Sequence, residues 1–209
     1  MAYFNQFIPL LKFLYPSYLV WNRKNNDNKI YLTFDDGPVP VVTTAVLAIL
    51  KQHHIKATFF CVGENVAKYP EVFKSIVADG HSVGNHTYNH LRGWDVNDEK
   101  YAENIAQCDA AIQTHQVNTR LFRPPYGKAN RRQLKAASNT HQIVMWDVLT
   151  GDFDASQSAE DCFNEAIKYT CSGSIIIFHD SYKAEKNLLK ALPRYIEWAK
   201  ANGFTFEKL

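Results

Sequence analysis

Short apolar runs alternate with longer amphipathic stretches along most of the chain, and this alternation limits the possible folds more than any other feature. Strand-like runs are followed by helical patterns six times from Lys29 onward, beginning with "KIYLTF" and "VVTTAVLAILKQH". A last run, "FTFEKL", predicts one further short strand. Repeated strand–helix units build a largely parallel sheet covered by helices. The sequence therefore predicts an α/β fold.

No linker, low-complexity segment or charge run divides the 209 residues, a length that suits one domain. Residues 29–209 are interpreted as the main domain and residues 1–28 as an apolar N-terminal segment. Apolar side chains at helical spacing predict that this segment is a helix packed on the domain: Phe4, Phe7, Ile8, Leu11, Leu14 and Tyr15. Membrane-surface contact through residues 1–22 is the alternative. Pro16 interrupts the segment and disfavours a membrane-spanning helix. A signal peptide is disfavoured because the segment has neither a charged beginning nor a small-residue cleavage site.

Charge and cysteine content exclude some classes of protein. Formal net charge is +2, with basic and acidic residues dispersed, which disfavours a dedicated nucleic-acid binder. Four cysteines without a CxxC pair favour buried free thiols and a reducing compartment, although a Cys162–Cys171 bridge stays open. These features leave the cellular location and the oligomeric state open.

Ionisable and aromatic side chains recur where the predicted strands end. The set comprises Asp35, Asp36, His86, His90, Arg123, Tyr126, Trp146, Asp147, His179 and Asp180. In α/β barrels and open α/β sheets, ligands bind at the carboxyl ends of the strands. Five strands that each deliver such residues to one rim indicate a functional site.

His86 and His90, in "HTYNH", are four residues apart, so a helical turn would place both imidazoles on one face. Asp36 is a candidate third ligand, and three protein ligands leave positions open for water and substrate. Neighbouring Asp35 shares that site only if the strand breaks, which we expect at Gly37 and Pro38. An acidic turn beside two hydrogen-bonded loop histidines is the alternative.

Four motifs, "TFDDGP", "HSVGNHTYNH", "RPPYG" and "IIIFHD", occur in this order and closely resemble the polysaccharide deacetylases, the fourth family of carbohydrate esterases. The resemblance, which extends to the nodulation-type chitooligosaccharide deacetylases, covers roughly residues 29–209. It implies a distorted, incomplete TIM-like (β/α)7 barrel. It also implies metal-dependent removal of acetyl groups from N-acetylated sugars in chitin or peptidoglycan, or from O-acetylated xylan.

The resemblance also assigns roles to individual residues. It implies Asp36, His86 and His90 as metal ligands, Asp35 as general base, Arg123 as the group that orients Asp35, the Tyr126 backbone N–H as oxyanion donor, and His179 as general acid. Tyr126 and Trp146 are the candidate substrate contacts. A nitrogen-rich, three-ligand set favours zinc, with cobalt, nickel or manganese as alternatives.

One motif departs from the family pattern. An Asp-x-x-Asp-Trp sequence is usual after the fifth strand, where this chain reads "WDVLTGDFD". Aligned on Trp146, Leu149 replaces the Asp that contacts the general acid, and Phe153 replaces the Trp. Asp147 and Asp152 are therefore the candidates for tuning His179. An O-acetyl esterase and a catalytically silent carbohydrate-binding barrel are the alternative functions.

Overall fold

The computed structural model describes residues 15–209 and contains one sheet flanked by helices. The strands of this part of the chain are β1 (Leu19–Val20), β2 (Lys29–Asp35), β3 (Thr58–Cys61), β4 (Ser82–Asn85), β5 (Leu121–Phe122), β6 (Gln142–Val144), β7 (Val148–Leu149), β8 (Ile175–His179) and β9 (Thr205–Glu207). The helices are α1 (Val42–Gln52), α2 (Gly63–Lys68), α3 (Pro70–Ala78), α4 (Asp98–Gln113), α5 (Arg131–Ala137), α6 (Ala159–Tyr169) and α7 (Glu185–Ala201). Two 3-10 turns lie at Gly93–Asp95 and Pro125–Gly127.

The strands pair in the order β1-β6-β5-β4-β3-β2-β8-β7, with β9 added to the start of β2, and every pair is parallel. The edge strands β1 and β7 do not pair with each other within residues 15–209, so the sheet curls into a half-barrel that stays open. This confirms the predicted α/β class and the incomplete barrel. The carboxyl ends of β2, β3, β4, β5 and β8 lie along one rim.

Apolar side chains of the central strand β2 anchor the main core. Ile30, Leu32 and Phe34 are fully buried, and the Phe34 ring stacks on Phe59 of β3 at 4.9 Å between centroids. Burying a side chain of this size contributes about 1.5–3 kcal/mol. Residues of α1, α3 and α7 complete the cluster, so the face of β2 that bears these three side chains packs against helices.

The six helices predicted after Lys29 and the last strand are confirmed, and three elements differ from expectation. The apolar run "QIVMWDV" is one of the runs that the alternation predicts as a single strand, but the structure divides it between β6 and β7. Helix α2 was not predicted. It ends before Pro70, which begins α3, because the residue before a proline avoids the helical conformation. The short strand β1 extends the sheet into the N-terminal segment by pairing with β6.

Much of the predicted N-terminal helix, including Phe4 to Leu14, lies outside the described residues. None of the helices in residues 15–209 is long and apolar enough to cross a membrane. All four cysteines are free, so the alternative Cys162–Cys171 bridge is absent. Cys61, Cys108 and Cys162 are buried as expected, whereas Cys171 is exposed in the turn before β8.

Candidate active site

The carboxyl ends of four strands bring the predicted site residues together. Asp35 ends β2 and lies directly beside His179, the last residue of β8. His86 and Arg123 each follow the last paired residues of β4 and β5. The rim that the sequence predicted therefore exists, and its centre lies between these strands.

The chain turns sharply at Asp36. Strand β2 stops at Asp35, and Asp36 has the left-handed φ of 82° that non-glycine residues rarely adopt. The predicted break at Gly37 and Pro38 therefore occurs one residue earlier than expected. Because of this turn, both carboxylates approach the His86 imidazole, with Asp35 Oδ2 at 3.9 Å and Asp36 Oδ1 at 3.7 Å from its Nε2.

Asp180 stabilises this turn through hydrogen bonds to its backbone. Its Oδ1 accepts a hydrogen bond from the Gly37 N–H at 3.1 Å, and its Oδ2 accepts one from the Thr43 hydroxyl of α1 at 2.6 Å. Its own N–H donates to the Asp35 carbonyl at 3.0 Å. Burial raises the pKa of Asp180 to about 8, in spite of the hydrogen bond from Thr43. These bonds join β2, α1 and β8 beneath the two aspartates.

Gly37 is required for this contact, because a Cβ at that position would lie 2.0 Å from Asp180 Oδ2. We expect Gly37→Ala to lower the free energy of unfolding by about 1–3 kcal/mol, the usual effect of overpacking. Urea unfolding of Gly37→Ala, in the wild-type protein and in the Asp180→Ala background, measures the coupling energy between the two positions. Gly37→Ala should lower the free energy of unfolding clearly less in the Asp180→Ala background. Equal losses of stability in both backgrounds would show that the new Cβ does not clash with the Asp180 carboxylate.

Asp36, His86 and His90 form the candidate metal cluster, with one ligand atom from each lying within 4.8 Å of the others. Asp36 Oδ1 is 3.2 Å from His90 Nε2, and the two imidazole rings are 5.1 Å apart. The His86 Nδ1 lies 2.8 Å from the Arg123 carbonyl. A carbonyl only accepts, so Nδ1 carries the hydrogen and Nε2 presents a lone pair to the cluster.

The charge states of this cluster also suit a cation. Burial lowers the pKa of His86 to about 4, so its imidazole is neutral near pH 7. Burial would raise the pKa of Asp36, but the hydrogen bond to His90 and the charges of His179 and His90 outweigh it and lower that pKa. A neutral imidazole beside an ionised carboxylate is a donor set for a divalent ion.

The expected helical turn across "HTYNH" is wrong. Thr87 and His90 have left-handed φ values of 63° and 57°, and the segment forms an irregular loop. Asn104 of α4 holds this loop by accepting hydrogen bonds from the Tyr88 and Asn89 N–H groups at 2.9 and 3.3 Å. The two imidazoles converge because of the loop conformation instead of helical spacing.

Arg123 is completely buried, so its ion pair with Asp35 lies inside the protein. Its Nη1 donates to Asp35 Oδ1 at 2.6 Å and to the Thr33 hydroxyl at 2.9 Å. Nε and Nη2 donate to the carbonyls of Val144 and Met145 at 3.2 and 3.0 Å. One oxygen of Asp35 is thereby fixed, and the other faces His86.

His179 pairs with Asp152. Its Nδ1 donates to Asp152 Oδ1 at 2.8 Å, and its backbone N–H donates to Oδ2 at 2.7 Å. The Phe153 ring contacts the imidazole edge-on at 4.8 Å. Burial lowers the pKa of His179, but the charge and hydrogen bond of Asp152, with smaller effects of Asp36 and Asp35, raise it to about 9.

Asp147, the other candidate partner of His179, lies at the opposite end of β8. Its Oδ1 accepts a hydrogen bond from the Ile175 N–H at 2.9 Å, at the first residue of that strand. Leu149 is buried in β7 beside Ile177. An alignment on Trp146 places the family Asp at Leu149, which is therefore inside a strand. Asp152, three residues later, supplies the carboxylate that contacts His179.

The two candidate substrate contacts differ in exposure. Tyr126 is 55% exposed, has a left-handed φ of 59°, and lies with its ring 4.6 Å from that of His90. Trp146 is half-buried and 6.4 Å from the Trp21 ring. A Cβ on Gly127 would lie 2.8 Å from the Trp146 ring, so Trp146 supports the "RPPYG" loop from beneath.

Sequence reasoning missed several supporting residues of the site. They are Thr33, Thr43, Asn85 and Asn104. Thr33 could have been predicted from the sequence, because it precedes Asp35 by two residues and residues i and i+2 of a strand share a face. Thr43 and Asn104 bond to Asp180 and Tyr88, which are 137 and 16 residues away in the sequence.

The fold and the rim together define an open α/β barrel with a candidate metal cluster at the carboxyl ends of its strands. The family model described as polysaccharide deacetylase matches residues 22–143. The chain belongs to the polysaccharide deacetylase family.

Named relatives agree with this assignment. A peptidoglycan-N-acetylglucosamine deacetylase of Bacillus cereus is 34% identical over 90% of this chain and 90% of its own length. A chitooligosaccharide deacetylase of Azorhizobium caulinodans is 32% identical over 88% of this chain and 94% of its own. The crystal structure of the Bc1960 peptidoglycan N-acetylglucosamine deacetylase, in complex with 4-naphthalen-1-yl-N-oxidanyl-benzamide, matches with a TM-score of 0.87 and 34% identity over 91% of this chain and 90% of that chain.

Proposed function

We propose that this protein removes acetyl groups from N-acetylated sugars of a glycan, releasing acetate and a free amine. The observation that carries the proposal is the cluster of Asp36, His86 and His90 beside a second carboxylate, Asp35, that Arg123 anchors. Named relatives act on peptidoglycan and on chitooligosaccharides, which supports a glycan substrate.

The residues of the cluster fit a divalent ion, which Asp36, His86 and His90 would hold. Zinc is the proposed ion, because two imidazole nitrogens and one carboxylate oxygen are its usual ligands in catalytic sites. Cobalt, nickel or manganese are the substitutes to test. When bound, such an ion supplies polarisation of a carbonyl and a lower pKa for water.

The two aspartates have different proposed roles because their surroundings differ. The Asp36 oxygen is the nearer one to both imidazoles, which suits a ligand. Asp35 has one oxygen fixed by Arg123 at 2.6 Å and the other directed at the cluster, which suits a base that removes a proton from the attacking water.

His179 and Tyr126 complete the mechanism. The departing sugar nitrogen must be protonated, and His179 has Nε2 available for this because Nδ1 is engaged by Asp152. The Tyr126 backbone N–H, in a left-handed turn next to His90, is the proposed donor to the oxyanion, a contact worth roughly 3 kcal/mol.

Acetate release from a panel of substrates tests the proposal. Chitooligosaccharides, peptidoglycan fragments and acetylxylan are incubated with metal-loaded protein and with Asp35→Asn as control. We expect release from one or both N-acetylated substrates. Release from acetylxylan alone would identify an O-acetyl esterase, and no release from any of the three would favour a silent carbohydrate-binding barrel.

The pairing of His179 with Asp152 predicts a pH effect. A general acid must be protonated, so activity falls as pH rises through the pKa of His179. Asp152→Asn removes the main cause that raises this pKa, so the alkaline limb of kcat/KM should move to lower pH. Asp147→Asn, remote from His179, is the matched control and should leave the limb in place. If Asp152→Asn leaves the limb where it is, the carboxylate does not tune the acid.

A further inference from the structure

An exposed surface adjoins the candidate metal cluster. It consists of Arg92, Trp94, Tyr126 and Lys128, and we call it the aromatic–basic surface. Trp94 is 62% exposed and Tyr126 is 55% exposed. Large aromatic side chains that stay in water next to a candidate site mark a place where a ligand binds. The proposed chemistry uses the backbone N–H of Tyr126 but not its ring, and it uses no group of Arg92, Trp94 or Lys128.

Two loops of the rim build the aromatic–basic surface, one after β4 and the other after β5. The Gly93 N–H donates to the Lys128 carbonyl at 2.9 Å and ties the loops together. The Arg92 guanidinium lies 5.0 Å from the Tyr126 ring centroid, and Lys128 Nζ lies 5.4 Å from that of Trp94. Each aromatic ring is therefore paired with a cation at a distance typical of cation–π contacts.

The two cations differ in their other partners. Arg92 Nε is 3.5 Å from Asp95 Oδ2, so a carboxylate of the protein already compensates that charge in part. Among residues 15–209, no carboxylate lies within ion-pair distance of Lys128. Lys128 is thus the cation that an incoming carboxylate would meet, directly beside a ring face that suits the apolar face of a sugar.

The surface is also placed to receive a neighbouring sugar. The strands β4 and β5 lie on one side of β2 in the sheet, and β8 with His179 lies on the other. The Tyr126 ring contacts His90 at 4.6 Å and joins the surface to the metal cluster. A glycan with its acetyl group at the cluster would extend from there over Tyr126 toward Trp94.

We propose that the aromatic–basic surface binds a carboxylate-bearing sugar adjacent to the acetylated one, with Trp94 contacting its ring and Lys128 its carboxylate. This inference rests on the proposed deacetylase function and refines its substrate class. The protein would then prefer an acidic N-acetylated glycan over a neutral chitooligosaccharide. An example is the peptide-free peptidoglycan repeat of N-acetylglucosamine and N-acetylmuramic acid, in which the lactyl carboxylate is free.

The test compares kcat/KM for two tetrasaccharides of equal length, the peptide-free peptidoglycan repeat with free lactyl carboxylates and chitotetraose. Wild type should favour the acidic one, and added salt should reduce that preference. Lys128→Met should lower kcat/KM for the acidic substrate about tenfold through KM, the effect of one contact to a charged group, and leave chitotetraose unchanged. Trp94→Ala should raise KM for both, because contact with a ring face does not depend on charge.

Lys135→Met is the matched control, since Lys135 makes a similar contact with the Tyr18 ring at 5.5 Å from helix α5. If wild type acts on both tetrasaccharides but Lys128→Met behaves like Lys135→Met, this inference fails and the proposed function stands. A wild-type preference for chitotetraose would also overturn it. If wild type releases acetate from neither, the proposed function fails, and the inference falls with it.

Discussion

Asp35→Asn should retain its metal and lose turnover by about 10²–10⁴-fold, the usual contribution of a general base. Asparagine keeps the shape of the side chain but cannot accept a proton from water. The ligand set of Asp36, His86 and His90 does not include Asp35. Steady-state acetate release, expressed per equivalent of bound metal, measures the effect.

The stability of Asp35→Asn must be measured alongside. Arg123 is fully buried and donates to Asp35 at 2.6 Å, so removal of the carboxylate leaves a buried cation uncompensated, a change that typically costs about 3–5 kcal/mol. Asp27→Asn, at an exposed carboxylate, is the control for the substitution itself. If Asp35→Asn is folded but has lost its metal, Asp35 is a ligand and the assigned roles of the two aspartates are wrong.

Removal of either imidazole should abolish both metal binding and activity. For His86→Ala and His90→Ala we expect a loss of affinity greater than the roughly 10–100-fold that removal of an outer-shell partner causes. The cluster contains three candidate ligands, so each variant leaves two. Metal content by elemental analysis and affinity by competition with a chelator are the measurements.

His54→Ala is the matched control, because His54 is an exposed loop histidine outside the cluster. His54→Ala should bind one equivalent of metal and keep full activity. His86→Ala is expected to lower stability as well, since His86 is buried and bonded to the Arg123 carbonyl. A folded His90→Ala protein with stoichiometric metal would contradict the ligand assignment.

The rim and most of its residues were predictable from sequence because they follow short-range rules. Alternation in "KIYLTF" predicts β2, and residues that directly follow parallel strands share one edge of the sheet. The ordered motifs then identify Asp35, Asp36, His86 and Arg123. The structure brings all four together.

The remaining features of the site could not be predicted from the sequence, because they depend on unusual backbone conformations and long-range contacts. Asp36, Thr87 and His90 adopt left-handed φ values although none of them is glycine, the residue that usually marks such positions. The sequence therefore predicted neither the turn at Asp36 nor the irregular loop across "HTYNH". The division between β6 and β7 is hidden in one apolar run, and the partner of His179 depends on where β7 begins. Long-range contacts are equally hidden, as Thr43 and Asp180 are 137 residues apart in sequence.

We expect a metal-loaded site formed by Asp36, His86 and His90 to hydrolyse an acetamide on a sugar. The most direct measurement counts acetate and new primary amines from the same N-acetylated tetrasaccharide, with protein stripped of metal and then reloaded with zinc. Stripped protein should give no products, and reloaded protein should give equal amounts of acetate and amine. Undiminished release by fully stripped protein, or acetate without amine, would contradict this expectation.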